Sequence, residues 1–359
     1  MFRCAGSKSV FVAAGIAAAA VSGASAHAGI RVVASFPASD IDVPSSGAVV
    51  PLQVSGLSEL VSGFGITGEW VGVVRDNGGG VNPWPLDFGV HVSTPAGVTR
   101  SSPAPWFGDV SIADYPVADA FDGFGGIDPN GEWQIALDSG NPSPWVAGLR
   151  DVTYHLLAES GADLEFGYSE STQQGNAWSR PFFIEGVSGL GPVDYHVLEF
   201  TVSVSGLYSF ESLLASGGDH WTCLYKDDFL DILPLLNLHE YSLGNGFSPF
   251  DVPRGESSFD QLLLEGTTYY WVTSQWASFS AFSEFTNTIS GPGEVLVAGA
   301  GCNAADNAEP FGVLDLADVQ GFVGAFLNQE PAADVAAPEG VWDLADVQGF
   351  VVAFNAGCP

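Results

Sequence analysis

The stretch Gly312-Val313-Leu314-Asp315-Leu316-Ala317-Asp318-Val319-Gln320-Gly321-Phe322 returns 28 residues later as Gly340-Val341-Trp342-Asp343-Leu344-Ala345-Asp346-Val347-Gln348-Gly349-Phe350. A period of about 20–50 residues marks a duplicated supersecondary unit, in which one copy cannot bury its apolar face alone. Each copy has a glycine, a short apolar pair, two aspartates three apart and then a helical pattern. In the first copy Leu316, Val319, Phe322, Val323 and Phe326 form one stripe of a 3.6-residue period, which predicts a helix. Cys302 and Cys358 bracket the pair, so a disulfide would clasp its two ends.

The physical template for such a loop before a helix is the calcium loop. It places oxygen ligands at positions 1, 3, 5, 9 and 12 and a glycine at 6 for the sharp turn. With Gly312 at position 6, Asp315 falls at 9 and Asp318 at 12, and Gly340, Asp343 and Asp346 repeat this. The first half of each loop is poorer in ligands. The count gives Phe311, Glu309 and Asn307 in the first copy, or Asp306 with a one-residue insertion. In the second copy it gives Glu339, Ala337 and Val335, or Asp334 with the insertion. Asp306, Glu309, Asp315, Asp318, Asp334, Glu339, Asp343 and Asp346 are therefore the candidate Ca2+ ligands. The alternative is that the aspartates are helix N-caps and first-turn acids, favourable to the helix dipole without any metal.

The doubled pattern, ending in Gly301-Cys302 and Gly357-Cys358-Pro359, resembles a dockerin, the duplicated calcium-loop-plus-helix module of secreted bacterial proteins. The resemblance covers residues 301–359. It implies an EF-hand-like pair of helices, bound calcium and a cohesin-like or other surface protein as partner. Positions 10 and 11, which in dockerins read the cohesin, are Leu316-Ala317 and Leu344-Ala345, apolar where the family often has hydroxyls.

The rest of the chain is cargo on this reading. Arg3 and Lys8, then the apolar run Val10 to Val21, then Ala24-Ser25-Ala26 or Ala26-His27-Ala28, predict a secretory signal over 1–28. No later run is long and apolar enough for a membrane helix, so the mature protein is expected outside the cell or at its surface. The formal net charge is −33. Such a surface repels nucleic acid, whose binding needs Lys and Arg on phosphates. Export permits a disulfide. The remaining mature cysteine, Cys223, sits in an alternating Trp221-Thr222-Cys223-Leu224-Tyr225 and reads as a buried inert thiol.

Two β segments precede the repeat. Over 30–157 short β-branched and aromatic runs alternate with Gly, Pro, Asn and Asp clusters. Ala48–Val54, Val90–Val92, Trp133–Leu137 and the Val152, Tyr154, Leu156 alternation are predicted strands. Asp87–Gly97, Phe121-Asp122-Gly123 with Asp128–Trp133, and Gly148-Leu149 with Tyr154-His155-Leu156 resemble the P domain of subtilisin-like proprotein convertases, a non-catalytic jelly-roll sandwich. Residues 158–181 read as a linker or a first strand. Over 182–297, Leu198–Val204, Leu207–Phe210 and Thr267–Thr273 are predicted strands. Here Ser205–Phe210, Leu224-Tyr225 with Asp231 and Pro234, Gly266–Tyr269 and Phe285–Gly293 resemble the bacterial pre-peptidase C-terminal type of sandwich. The expected fold is mainly β: two jelly-roll-like sandwiches, 30–157 and 182–297, followed by a small helical repeat pair over 300–359.

No catalytic motif stands out. There is no Gly-x-Ser-x-Gly elbow, and His239-Glu240 lacks the second histidine of a metalloprotease helix. His220, Cys223 and His239 have irregular spacing for zinc. Among the tryptophans Trp70, Trp84, Trp106, Trp145, Trp271 and Trp276, those in Pro-rich loops, Trp84 and Trp106, are the candidate glycan contacts. Trp133 and Trp271, in strands, read as core. The sequence thus points to a secreted, non-enzymatic binding or display protein held through its C-terminal repeat. The alternatives are a secreted hydrolase, protease-associated or polysaccharide-degrading, and a carbohydrate-binding module.

Overall fold

The computed structural model describes residues 28–44, 46–73, 89–102, 114–138, 146–172, 175–182, 186–215, 217–243, 255–278, 280, 284–297, 303–308, 314–329, 333–336 and 341–357. The expected signal segment, 1–28, lies outside them except for Ala28, which opens the first strand. The chain is mainly β, and its described residues fall into two compact units that meet in sequence at Val295 and Leu296. No described helix is long and apolar enough to cross a membrane.

The strands of the first segment are β1 (Ala28–Pro37), β2 (Ile41–Pro44), β3 (Ala48–Val54), β4 (Gly63–Val73), β5 (Gly89–Ser93), β6 (Thr99–Ser101), β7 (Asp114–Phe121), β8 (Gly131–Asp138) and β9 (Val146–Ala162). Next come β10 (Leu164–Ser171), β11 (Ala177–Trp178), β12 (Pro181–Phe182) and β13 (Gly186–Val187). The second segment holds β14 (Val193–Val202), β15 (Gly206–Leu214), β16 (His220–Lys226), β17 (Leu238–Leu243), β18 (Glu256–Leu263), β19 (Tyr269–Gln275), β20 (Glu284–Gly291) and β21 (Val295–Val297). Residues 158–181 supply the end of β9 together with β10 and β11.

One large sheet takes strands from both segments, in the order β10-β20-β15-β1-β9-β4-β7, with β2 on β9 and β18 on β15. The join is the short antiparallel pairing of Ile30 with Leu207 and Arg31 with Gly206. A Cβ on Gly206 would collide with the Ile30 carbonyl, so only glycine admits β1 there. A sheet β3-β8-β5-β6 belongs to the first segment, and a sheet β11-β14-β19-β16-β17 to the second.

Alternation explains which faces are buried. In β8 Trp133, Ile135 and Leu137 point inward and their neighbours outward. In β4 and β9 the paired Phe64 with Leu156 and Ile66 with Tyr154 are all buried. These side chains from two sheets form one core, in which Trp133 donates its indole N–H to the Pro129 carbonyl at 2.7 Å. The central strand β19 is buried on both faces, which is why Tyr269-Tyr270-Trp271-Val272 reads as a nearly continuous apolar run. Its polar Thr273 is satisfied by Asn287, whose amide donates to Thr273 Oγ1 at 2.9 Å and to the Tyr168 hydroxyl at 2.8 Å.

The C-terminal unit has two helices, α1 (Leu316–Asn328) and α2 (Leu344–Ala356), at the places the repeat predicts. Its core is Ala305, Phe322, Ala325, Ala333 and Phe350, flanked by Val319, Phe326, Val347 and Phe354. The sequence stripe divides: Phe322 is buried, whereas Leu316 and Val323 are exposed.

Candidate functional site

Both helices of the repeat begin in the same way. Asp315 is the N-cap of α1 and accepts from the Ala317 N–H at 2.6 Å. Asp318, at the third helical position, reaches back so that Oδ2 accepts from the Asp315 N–H at 2.8 Å, closing a capping box. In α2, Asp343 accepts from the Ala345 N–H at 2.7 Å and Asp346 Oδ2 from the Asp343 N–H at 2.8 Å.

The other oxygen of each first-turn aspartate holds the incoming loop. Asp318 Oδ1 accepts from the Asn307 and Ala308 N–H groups at 2.9 and 3.0 Å. Asp346 Oδ1 accepts from the Ala336 N–H at 3.0 Å. The two carboxylates are only 1 % and 0 % exposed. The Asp343, Ala336 and Val335 amides hold the Asp346 carboxyl below the usual carboxylate range, the Asp343 amide most and against the effect of burial. Gly321 lets the loop lie against α1, because a Cβ there would sit 2.5 Å from Asn307 Oδ1.

In the calcium template Asp315 and Asp343 stand at position 9 and Asp318 and Asp346 at position 12. A position-12 carboxylate offers both oxygens to the ion. Here both oxygens of Asp318 and of Asp346 already face backbone hydrogens. Asp306 is buried in a turn whose N–H donates to the Asn303 carbonyl at 3.0 Å, and Asp334 is half-buried. Among the described residues no three His, Cys, Asp or Glu side chains come together as a cation site. Glu309, Glu339, Cys302, Cys358, Trp84 and Trp106 lie outside the described residues. Of the other candidate tryptophans, Trp70 and Trp271 are fully buried and belong to the core. Trp276 is partly buried beside the Arg180 guanidinium, 4.1 Å from its ring centre.

Each copy also exposes aliphatic side chains. Leu316 and Leu344 are 67 % and 68 % exposed, and Val323 and Val351 are 49 % and 47 % exposed. These are matched positions of the two copies, and Leu327 and Val352 are exposed as well. The sequence placed Leu316 and Val323 on one stripe with Phe322, and also placed Leu316 and Leu344 at the partner-reading position 10 of the resemblance.

The β unit buries several titratable side chains. His155 is buried, its Nδ1 is 2.9 Å from Ser35 Oγ and its Nε2 is 2.9 Å from Thr67 Oγ1. Burial pushes this imidazole down to about 4, so it is neutral and held between two hydroxyls, with no carboxylate to orient it as in a triad. His239 is pushed down to about 3, by burial first and then by Lys226. Burial pushes the free thiol of Cys223 up to about 12, which leaves it unreactive. Arg180 is fully buried between Trp221 and Trp276 and donates to the Trp276 and Pro181 carbonyls at 2.8 and 2.7 Å.

The turn between β16 and β17 carries a second apolar display. Leu230, Ile232, Leu233, Leu235 and Leu236 are exposed, with Ile232 at 81 %. The tip is held from within: Pro234 is buried, its carbonyl accepts from the Tyr225 hydroxyl at 2.7 Å, and Phe229 packs on Trp178 and Tyr195. Asp227, Asp228 and Asp231 flank it.

No family model and no curated protein matches this chain. Among solved structures, one described as "Crystal Structure of the STIV MCP" is similar at 8 % identity, over 73 % of this chain and 96 % of that one, with a TM-score of 0.20. Another, "Structure of infectious bursal disease virus Gx strain", is similar at 8 % identity, over 79 % of this chain and 76 % of that one, with a TM-score of 0.18. Likenesses at these scores carry no argument about fold or function.

Proposed function

We propose that this is an exported, non-enzymatic binding protein whose two β-sandwiches are held in place by a C-terminal EF-hand-like, dockerin-like repeat. One observation carries the reading. Leu316 and Val323, with Leu344 and Val351, expose matched aliphatic side chains on a small unit whose own core is already filled by phenylalanines. An exposed apolar face rimmed by polar groups marks an interaction surface. The chain has no Lys or Arg after Arg254, and the exposed Asp315 and Asp343 border the face. The fitting partner is another protein with an apolar surface and a basic rim; a second copy of this acidic chain is disfavoured by like charge. The tip at Ile232 and Leu233 offers the β unit a contact of the same chemistry.

The test uses the full mature protein, crosslinked to the surface of the cells that secrete it, with crosslinked peptides identified. Leu316→Asp with Leu344→Asp is expected to weaken retention at least roughly tenfold, since each leucine buried in a partner contributes about 1.5–3 kcal/mol. Ile232→Asp is the comparison. Retention unchanged by the helix pair, or crosslinks found only on the β unit, overturns the proposal.

A further inference from the structure

The repeat reads in sequence as a pair of cation loops, yet its two most buried carboxylates are already used. Asp318 takes three backbone N–H groups, from Asn307, Ala308 and Asp315. Asp346 takes the equivalent Ala336 and Asp343 groups at nearly the same distances. Each amide points its positive end at a carboxylate oxygen. Charge-assisted bonds of this kind are roughly twice as strong as neutral ones. An ion gripped by either carboxylate would compete with these bonds for the same two oxygens, and any N–H group it displaced would be left buried without an acceptor, which is costly.

The sequence of each loop agrees. Counted without the insertion that places Asp306 and Asp334 first, position 5 of the first copy and positions 1 and 3 of the second fall on Phe311, Val335 and Ala337, which have no side-chain oxygen. Gly321 and Gly349 permit the close approach that the amides need, because side chains there would press on Asn307 and Val335. The same device occurs in both copies, so it is not a local accident of one loop.

We infer that each half of the repeat is closed by a buried aspartate clasp in place of a cation, and that the unit folds without calcium. The carboxylate that would grip an ion instead grips the loop backbone, fastening loop to helix. This concerns the fold of the repeat and stands or falls apart from what the unit docks to.

Hydrogen exchange on the full mature protein tests it, reading peptides from 303–308, 333–336 and the first turns of α1 and α2. Protection is expected to be the same in excess EDTA and in millimolar calcium. Loss of protection in EDTA with recovery on adding calcium overturns the inference. Asp318→Asn and Asp346→Asn keep the shape but turn one acceptor into a donor. Each is expected to speed exchange in its own loop roughly tenfold to a hundredfold, with no rescue by calcium. Unchanged exchange in both variants also overturns it. If a variant does not fold, the comparison of the unmutated protein with and without calcium still decides.

Discussion

The rings of Phe322 and Phe350 stack with centroids 4.2 Å apart and planes 18° apart, and the two residues hold the same place in successive copies of the repeat. Contact between equivalent positions is what a local two-fold relation produces. Phe326 and Phe354 extend it, each beside the phenylalanine one turn earlier. Each copy thus covers the face that the other cannot bury. Phe322→Ala or Phe350→Ala should cost about 3 kcal/mol or more, and the double variant less than the sum, because both delete one contact. Exchange protection of α1 and α2 measures this. Loss confined to the mutated helix would speak against a shared core.

Glycines in α1 separate packing from propensity. Nothing lies within 4 Å of a Cβ built on Gly324, so Gly324→Ala should stabilise the helix by about 0.5–1 kcal/mol. At Gly321 the same gain is opposed by the contact with Asn307 Oδ1 and by Ala308 at 3.5 Å. Gly321→Ala should therefore fall short of Gly324→Ala by roughly 1 kcal/mol or more. Equal effects on helix protection would mean that the loop does not rest on α1.

The local elements were legible because periodicity is written in side chains. Trp133, Ile135 and Leu137 announce the inward face of β8, and the repeat announces both helices. The occupancy of Asp318 and Asp346 was not legible, because their partners are backbone amides, which every residue but proline carries. Asp318 and Asp346 look alike in sequence whether they hold an ion or a loop. The sheet shared by the two β segments was hidden for a related reason. It depends on the bare Gly206 meeting the Ile30 carbonyl, and a glycine opening a strand reads as a turn. Trp70, one of the tryptophans weighed for sugar stacking, is fully buried in the core.

Buried histidines set the acid limit of the β unit. His155 and His239 are held at about 4 and about 3, against 6.5 when free, mainly because burial disfavours the imidazolium. The unfolded chain then binds these protons first as pH falls. Stability from this source is full above pH 6.5 and is lost as the pH drops towards 4 and 3, by an amount on the order of a few kcal/mol. His155→Gln keeps hydrogen-bonding capacity towards Ser35 and Thr67 but does not titrate. It should flatten the fall of the urea midpoint between neutral pH and acid. An unchanged slope would mean that the His155 imidazole is not neutral in the fold.

Asn303 fastens the start of the C-terminal unit to its end. Its amide donates to the carbonyls of Ala353 and Gly357 at 3.1 and 3.0 Å, and its Oδ1 accepts from the Ala305 N–H at 2.7 Å. Asn303 follows Cys302 in the chain and Gly357 precedes Cys358, so the hydrogen-bonded residues are the immediate neighbours of both cysteines. In an oxidising compartment a Cys302–Cys358 bond would close a long loop and remove entropy from the unfolded chain. Mass spectrometry of the protein kept in an oxidising compartment and digested without reductant should yield the crosslinked pair, with Cys223 as the free thiol. Reduction should lower the stability of the unit by about 2–4 kcal/mol, and Asn303→Ala should slow re-formation of the bond by loosening the two ends. Free Cys302 and Cys358 in protein taken from the oxidising side of the membrane would refute the pairing.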